Sequence, residues 1–443
     1  MIELLLNLAA VAAGAVALRS VMQNLAPGGV ETVAAVGVCL ATALAVFVLS
    51  EPPNLFEDFE QHYYIGGEAV RAGPAALGPL VERGVEDGFT NLPIVAYLFL
   101  PFALLPLQAA TLIFTLLGLA MTFFAWLLLV RLAYLDRAAR WWLLFLFAAS
   151  GPLHYSVREG NTSHMVLLGV AAGLYFLRAG KPVVAGALLG VAAVLKLPLL
   201  LFGVLFVLRR NWGSALGFAS VCAGSVALSL VVFGLEVNRS WLVSVKQYGR
   251  EPLGAFNVQS IPAALVRLVE GPAVLLDFTP HSVGTAQRLV GLILVGLLYV
   301  AAVLACRRRI DSVRSGTDGS QTGKELEYLL VLNLAVISSP LSWSHYYALL
   351  LIPMAFFLGA RFSIADVRLR RLGWLGIAFT VPVVSVLHLP GSFLPDLYAR
   401  LGISHLLFGG LILFGLLVIA RRRVARDGML PPQREPPDPA TLS

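Results

Sequence analysis

Residues 56–64 read Phe-Glu-Asp-Phe-Glu-Gln-His-Tyr-Tyr, which sets three carboxylates and a histidine among aromatics shortly after the apolar stretch VAAVGVCLATALAVFVLS. In a helix, Asp58, Gln61 and His62 share a face through the i, i+3 and i+4 spacings. Phe59 and Tyr63 share the neighbouring face and would pack toward lipid or protein. A carboxylate held at such a boundary is partly desolvated, which suits it to general-base work. The competing reading is a plain polar fringe where a helix leaves lipid.

Other segments carry complementary chemistry. Arg158, Glu159, Asn161 and His164 cluster near residue 160, and Lys196 stands alone between two apolar runs. Asn257 to Ser260 read NVQS, and Ser342 to Tyr347 read SWSHYY. A lipid-linked phosphate needs cations at headgroup depth, and Lys196, His345 and Arg158 fit that role. Trp343, Tyr346 and Tyr63 offer platforms for a sugar ring, and Asp58 is the candidate base for an acceptor hydroxyl. Glu60, Gln61, His62, Asn161, His164, Asn257 and Gln259 complete the substrate-binding candidates. Read singly, His345 could equally satisfy a helix end, and the aromatics could belong to an interfacial belt. Asn161-Thr162-Ser163 and Asn238-Arg239-Ser240 match the glycosylation sequon, a motif too short to weigh much. Glu57, Asp58 and Glu60 offer too few oxygens for a hard-cation cage, so no metal is expected.

The elements that must position these residues are membrane helices. The 443 residues are 58% apolar and only 13% charged, against about 25% charged in soluble domains. Apolar runs long enough to cross a bilayer recur, without the alternation of a β-barrel. The reading is an all-α integral membrane protein, a polytopic bundle of about 12–13 transmembrane helices. Spans fall near 31–50, 109–131, 141–155, 162–178, 182–195, 198–208, 214–234, 288–306, 327–341, 345–360, 372–388 and 404–420. Residues 2–19 add an amino-terminal helix, spanning or interfacial. Residues 182–208 are read as two short helices meeting at Lys196-Leu197-Pro198, because proline disfavours helix in the residue before it. Residues 93–107, apolar but proline-broken, suit a re-entrant or membrane-parallel segment.

Most Lys and Arg residues then gather on one face, cytoplasmic by the positive-inside rule, with the carboxyl terminus. This distribution, in short loops between spans, argues against nucleic acid as a partner. The opposite, extracytoplasmic face receives a first loop 51–108, a fourth loop 235–287, and the tips bearing Arg158, Lys196 and His345. One polytopic domain covers 1–425, and 426–443 form a disordered tail. The three cysteines are widely separated, with no CxxC pair to support a disulfide framework or a zinc site.

The order of DFEQHYYIGGEAVRAG, LPIVAYLFLPFALLP, LRAGKPVVAGALLGVAAVLKLPLLL, NVQSIPAALVRL and SPLSWSHYY resembles glycosyltransferase family 87, from about residue 52 to about residue 357. The resemblance implies a GT-C fold at the cell membrane and a polyprenyl-phosphate sugar as donor, mannose first and arabinofuranose second. It further implies a glycolipid or glycan hydroxyl as acceptor, inversion at the anomeric carbon, and no cofactor beyond the lipid-linked co-substrate. It assigns the base to Asp58 and donor-phosphate contacts to Lys196 and His345. The chain departs from the family pattern at Gly160-Asn161-Thr162-Ser163, where relatives commonly show Gly-Gln-x-Asn. It departs again at His345-Tyr346, where two histidines are frequent. The alternative, a transporter or flippase for a lipid-linked or anionic solute, would place its charges near the bilayer midplane. Asp and Glu are scarce within the spans.

Overall fold

In lipid every backbone amide must find its partner within the protein, so long Leu/Ala/Val runs have helix as their outlet. The computed structural model describes residues 55–84, 88–307, 312–362, 364, 366–384 and 393–427, and these are helical with no β-sheet among them. The amino-terminal helix, the span at 31–50 and all but the first two positions of the tail lie outside the described residues. Four helices are long and apolar enough to cross a membrane: Leu107–Leu132, Trp212–Arg250, Thr285–Cys306 and Asp396–Ala425. Shorter apolar helices, among them Ser163–Arg178 and Pro182–Leu195, pack between them. The chain is an all-α polytopic membrane protein.

Several expected spans differ in detail. The expected 141–155 span is two helices, Arg137–Ala149 and Gly151–Arg158, broken where the Ser150 hydroxyl caps Leu153 N–H at 3.2 Å. The stretch 93–107 is broken by its prolines into short turns, Pro93–Leu98 and Leu100–Ala103, neither long enough to span. The expected 214–234 span continues through a kink at Gly234 to Arg250. Asn238 explains the continuation: its amide donates to Ser229 O at 3.1 Å and Gly234 O at 2.7 Å, and its oxygen accepts from the Ser229 hydroxyl. Its side chain is thus occupied in the kink rather than displayed as a sequon. Beyond it, the Trp241 indole donates to Thr90 O at 3.0 Å and seats this arm on the first loop.

The segment around Lys196 breaks as its sequence suggests. Helix Pro182–Leu195 ends, Lys196 is extended, and the chain resumes at Leu197 toward Leu208. Pro182–Leu195 packs on Trp212–Arg250 through small residues. A Cβ on Gly217 would overlap Val183 O, and one on Gly186 would overlap Ser214 O.

At the end of the bundle away from Lys196, basic helix ends converge on two acids of helix Ser312–Ser338. Arg178 reaches Glu325 at 2.5 Å, with Arg361 at 3.6 Å. Arg209 and Arg421 both bind Glu327, at 2.5 and 2.6 Å. Arg178 and Arg361 also lie over the Tyr134 ring, at 5.0 and 5.1 Å.

Candidate functional site

The first loop begins its helix as a wide π-turn, Phe59–Tyr64, rather than the α-helix its spacing suggests. Its apolar face is anchored as expected: Phe59 stacks on Phe114 and Tyr63 on Phe99, each with centroids 4.5 Å apart. Such pairs are worth about 0.5–1.5 kcal/mol beyond their buried area. The turn is also tied to the 156–161 tip, Phe56 N–H donating to Arg158 O at 2.7 Å and Phe59 N–H to Glu159 O at 3.1 Å. Gly160, at φ +66°, permits that approach, since a Cβ there would sit 2.5 Å from Phe59 Cβ.

These anchors leave Asp58 on the opposite face, half-buried. Its Oδ1 lies 3.9 Å from His62 Nε2, and His62 Nδ1 is 2.6 Å from Gly88 O. A carbonyl can only accept, so Nδ1 carries the proton, and Nε2 donates toward Asp58 only as imidazolium. Glu57 and Gln61 are exposed, and partial burial raises the Glu60 carboxyl.

Asn161 is the hub. Its Nδ2 donates to Asp58 Oδ2 at 2.5 Å and lies 3.4 Å from Tyr63 OH. Its Oδ1 accepts from Lys196 Nζ at 2.8 Å and from Ser163 N and Oγ, both at 2.9 Å. Ammonium only donates and carboxylate only accepts, so the amide has one workable orientation. A directed chain results, lysine to amide to aspartate. Asn161, a substrate-binding candidate from sequence, is thereby occupied in holding Asp58 and Lys196 apart and aligned.

Lys196 is 5% exposed, with Nζ 4.7 Å above the Tyr346 ring. Burial pushes its ammonium down to about 7, against the pull of Asp58. Glu159, also buried, is pushed up to about 8 by burial first and the Asp58 charge second, so it holds its proton at neutral pH. Arg158 lies close enough to Glu159 to oppose that rise, and its buried Nε has no hydrogen-bond partner among the described residues.

The SWSHYY segment closes the other side. The His345 ring packs with Tyr155, Trp343 and Tyr346, centroids 6.2, 6.3 and 5.2 Å away, and neither ring nitrogen has a hydrogen-bond partner among the described residues. Trp343 pairs with Val258 in a single antiparallel bridge, through Gln259 N–H to Ser342 O and Ser344 N–H to Asn257 O, both 2.6 Å. Asn257 Nδ2 donates to Tyr155 OH at 2.9 Å.

Two candidates stand apart from this constellation. Gln259 is fully buried and donates to Phe256 O and Ile403 O, a fastening of loops rather than a substrate contact. His164 bonds Ser156 Oγ through Nδ1 and turns its Nε2 toward Gly118 of helix Leu107–Leu132. Conversely, Tyr155 and Glu159 belong to the site's walls. Glu159 belongs to the cluster near residue 160 that the sequence displays, whereas Tyr155, at i, i+4 from it, lies within the apolar stretch 141–155 and carries no local signal of a site. Among the described residues no three His, Cys, Asp or Glu side chains are grouped to hold a metal ion.

Comparison with known proteins accords with this architecture. A polyprenol-phosphate-mannose-dependent alpha-(1-2)-phosphatidylinositol pentamannoside mannosyltransferase of Mycolicibacterium smegmatis is 26% identical over 341 residues, 73% of this chain and 75% of the relative. A polyprenol-phosphate-mannose-dependent alpha-(1-2)-phosphatidylinositol mannoside mannosyltransferase of Mycobacterium tuberculosis is 26% identical over 286 residues, 60% of this chain and 61% of the relative. No solved structure matches the chain. The model of glycosyltransferase family 87 matches residues 89–317, over half of the chain, which includes Asn161, Lys196 and Asn257 and stops short of Asp58 and His345. On that match this chain belongs to glycosyltransferase family 87 and is a membrane glycosyltransferase.

Proposed function

We propose that the chain transfers mannose from a polyprenyl-phosphate donor to a hydroxyl of a phosphatidylinositol-mannoside-like glycolipid, with Asp58 as general base. The observation that carries this reading is the convergence of Asp58, Asn161, Lys196 and the His345 aromatic cluster, drawn from segments far apart in sequence. The names of the relatives supply donor and acceptor class. The acceptor oxygen attacks the anomeric carbon as its proton passes to Asp58, and the bond from that carbon to the phosphate oxygen breaks. A single displacement inverts the centre. Polyprenyl phosphate leaves with its extra negative charge facing Lys196 and the ring of His345, and Arg158 stands farther along the same wall. Tyr346 and Trp343 flank the sugar's path. Lys196 meets the leaving-group charge, so this reading requires no divalent metal, and transfer should persist in EDTA.

The site faces the extracytoplasmic side of the cell membrane in this proposal, with the carboxyl terminus in the cytoplasm. The arginine-rich far end, with Arg178, Arg209, Arg361 and Arg421, supports that sidedness through the positive-inside rule. The test is Asp58→Asn in proteoliposomes with labelled polyprenyl-phosphate mannose and phosphatidylinositol mannoside. Loss of a general base should slow transfer by about 10²–10⁴-fold, with the protein still inserted and monodisperse. Near-normal transfer would overturn the assignment.

A further inference from the structure

Arg267 is fully buried, with no carboxylate among its hydrogen-bond partners in the described residues. It lies on helix Ile261–Glu270, outside the spans, and although burial lowers its guanidinium to about 10 it stays charged at neutral pH. A buried cation is costly unless its donors are met. Here Nη1 faces the carbonyls of Gly254, Ala255 and Val258 at 3.2, 2.8 and 2.8 Å, Nη2 donates to Ser404 Oγ at 3.0 Å, and only Nε has no hydrogen-bond partner among the described residues. One side chain thus gathers the loop that carries Asn257 and braces it against the 402–404 turn.

That loop is fastened in turn to the His345 segment. Ser344 N–H donates to Asn257 O, Gln259 N–H to Ser342 O, and Tyr347 OH to Gln259 O at 2.6 Å. Asn257 also fixes Tyr155, whose ring packs over His345. We infer that Arg267 is a positioning residue for donor binding, acting through residues 254–259 to set the place of His345 and Tyr155. A core ion pair could not serve this way, because a carboxylate partner would hold the guanidinium and leave the loop carbonyls to other donors. The inference rests on the proposed site and adds a residue remote from the substrate.

The test compares Arg267→Met and Arg267→Lys with the parent enzyme in the proteoliposome assay, per folded molecule. Loosening the loop should raise the donor KM about tenfold in Arg267→Met, with a smaller change in kcat and partial recovery in Arg267→Lys. Constants equal to the parent in folded Arg267→Met would overturn the role, even if its yield or thermal midpoint fell. If the methionine variant does not fold, Arg267→Lys and Ser404→Ala decide by the same criterion, a raised donor KM supporting the role and an unchanged one removing it. Asp58→Asn and His345→Ala run alongside. If both transfer at the parental rate, the site reading fails and this inference with it. If both are impaired while Arg267→Met is not, only the Arg267 role falls.

Discussion

If Lys196 is the donor-phosphate cation, as proposed, donor binding is sensitive to pH. Burial has brought its ammonium down to about 7, so it crosses half-protonation near neutrality rather than near 10.5. If the cation holds the donor phosphate, the binding-competent fraction falls about tenfold per pH unit above about pH 7, and the apparent donor KM rises in proportion. Bound phosphate returns the proton to Lys196, so kcat changes less than KM. The charged and titratable groups that contact it or lie within its electrostatic reach are Asp58 through Asn161, with His164, His345 and Tyr346. The assay is donor saturation in proteoliposomes from about pH 6 to about pH 9, with Lys196→Arg as control, since guanidinium keeps its charge throughout. A flat donor KM in the parent, or an equal rise in Lys196→Arg, would refute the reasoning.

Three perturbations separate the site from its scaffold. Gly160→Ala forces a side chain into a left-handed backbone, at about 1–2 kcal/mol, and its Cβ meets Phe59 2.5 Å away. Both the thermal midpoint and the transfer rate should fall, and a variant unchanged in both would show that the tip need not touch the turn bearing Asp58. Asn161→Leu removes charge-assisted bonds to Asp58 and from Lys196, each worth about 1.5–3 kcal/mol; kcat/KM for transfer should drop by at least about tenfold, and a drop of less than threefold would argue against the hub. Glu327→Gln takes the carboxylate from between Arg209 and Arg421, at a cost of about 3–5 kcal/mol for a buried pair. Its thermal midpoint in detergent should fall while kcat per folded molecule holds, so an unchanged midpoint or a selective loss of kcat counts against the scaffold reading.

Much of the bundle was legible because hydrophobic length and proline act locally. The break at Lys196 follows from Pro198, and the burial of Phe59 and Tyr63 follows from their spacing. What escaped depends on contacts between distant segments. Nothing local marks Gly234 as a kink through which a helix continues, because Asn238 must first fold back on Ser229. Asn161 reads as an exposed polar tip residue until Asp58 and Lys196, 103 and 35 positions away, occupy both ends of its amide. Gln259 misled for the converse reason. Its place in NVQS suggested a ligand contact, whereas Ile403, on a segment 144 positions away, takes its hydrogen bond.

The two ends of the bundle hold similar residue types and use them differently. At the far end, the Arg178 and Arg209 guanidiniums each make two donor contacts to glutamates, and Arg421 joins Arg209 on Glu327. Such pairing fixes helix ends against one another, and little of its donor capacity is open to a substrate. At the Asp58 end, Asp58 and Lys196 are bridged by a neutral amide rather than paired directly, which leaves an acid and a cation separately usable. Among the described residues both His345 nitrogens have no hydrogen-bond partner, nor have the buried Arg158 Nε and Ser344 Oγ. Buried polar groups cost about 1–3 kcal/mol each when unsatisfied, a cost that a ligand meeting them would offset. In the proposed reading a hydroxyl and a phosphate entering between Asp58 and Lys196 would meet those groups. The far end also buries unpartnered atoms, Glu325 Oε2 and Arg361 Nε, so what separates the two ends is the direct pairing of guanidinium with carboxylate at one and an acid and a cation bridged by an amide at the other.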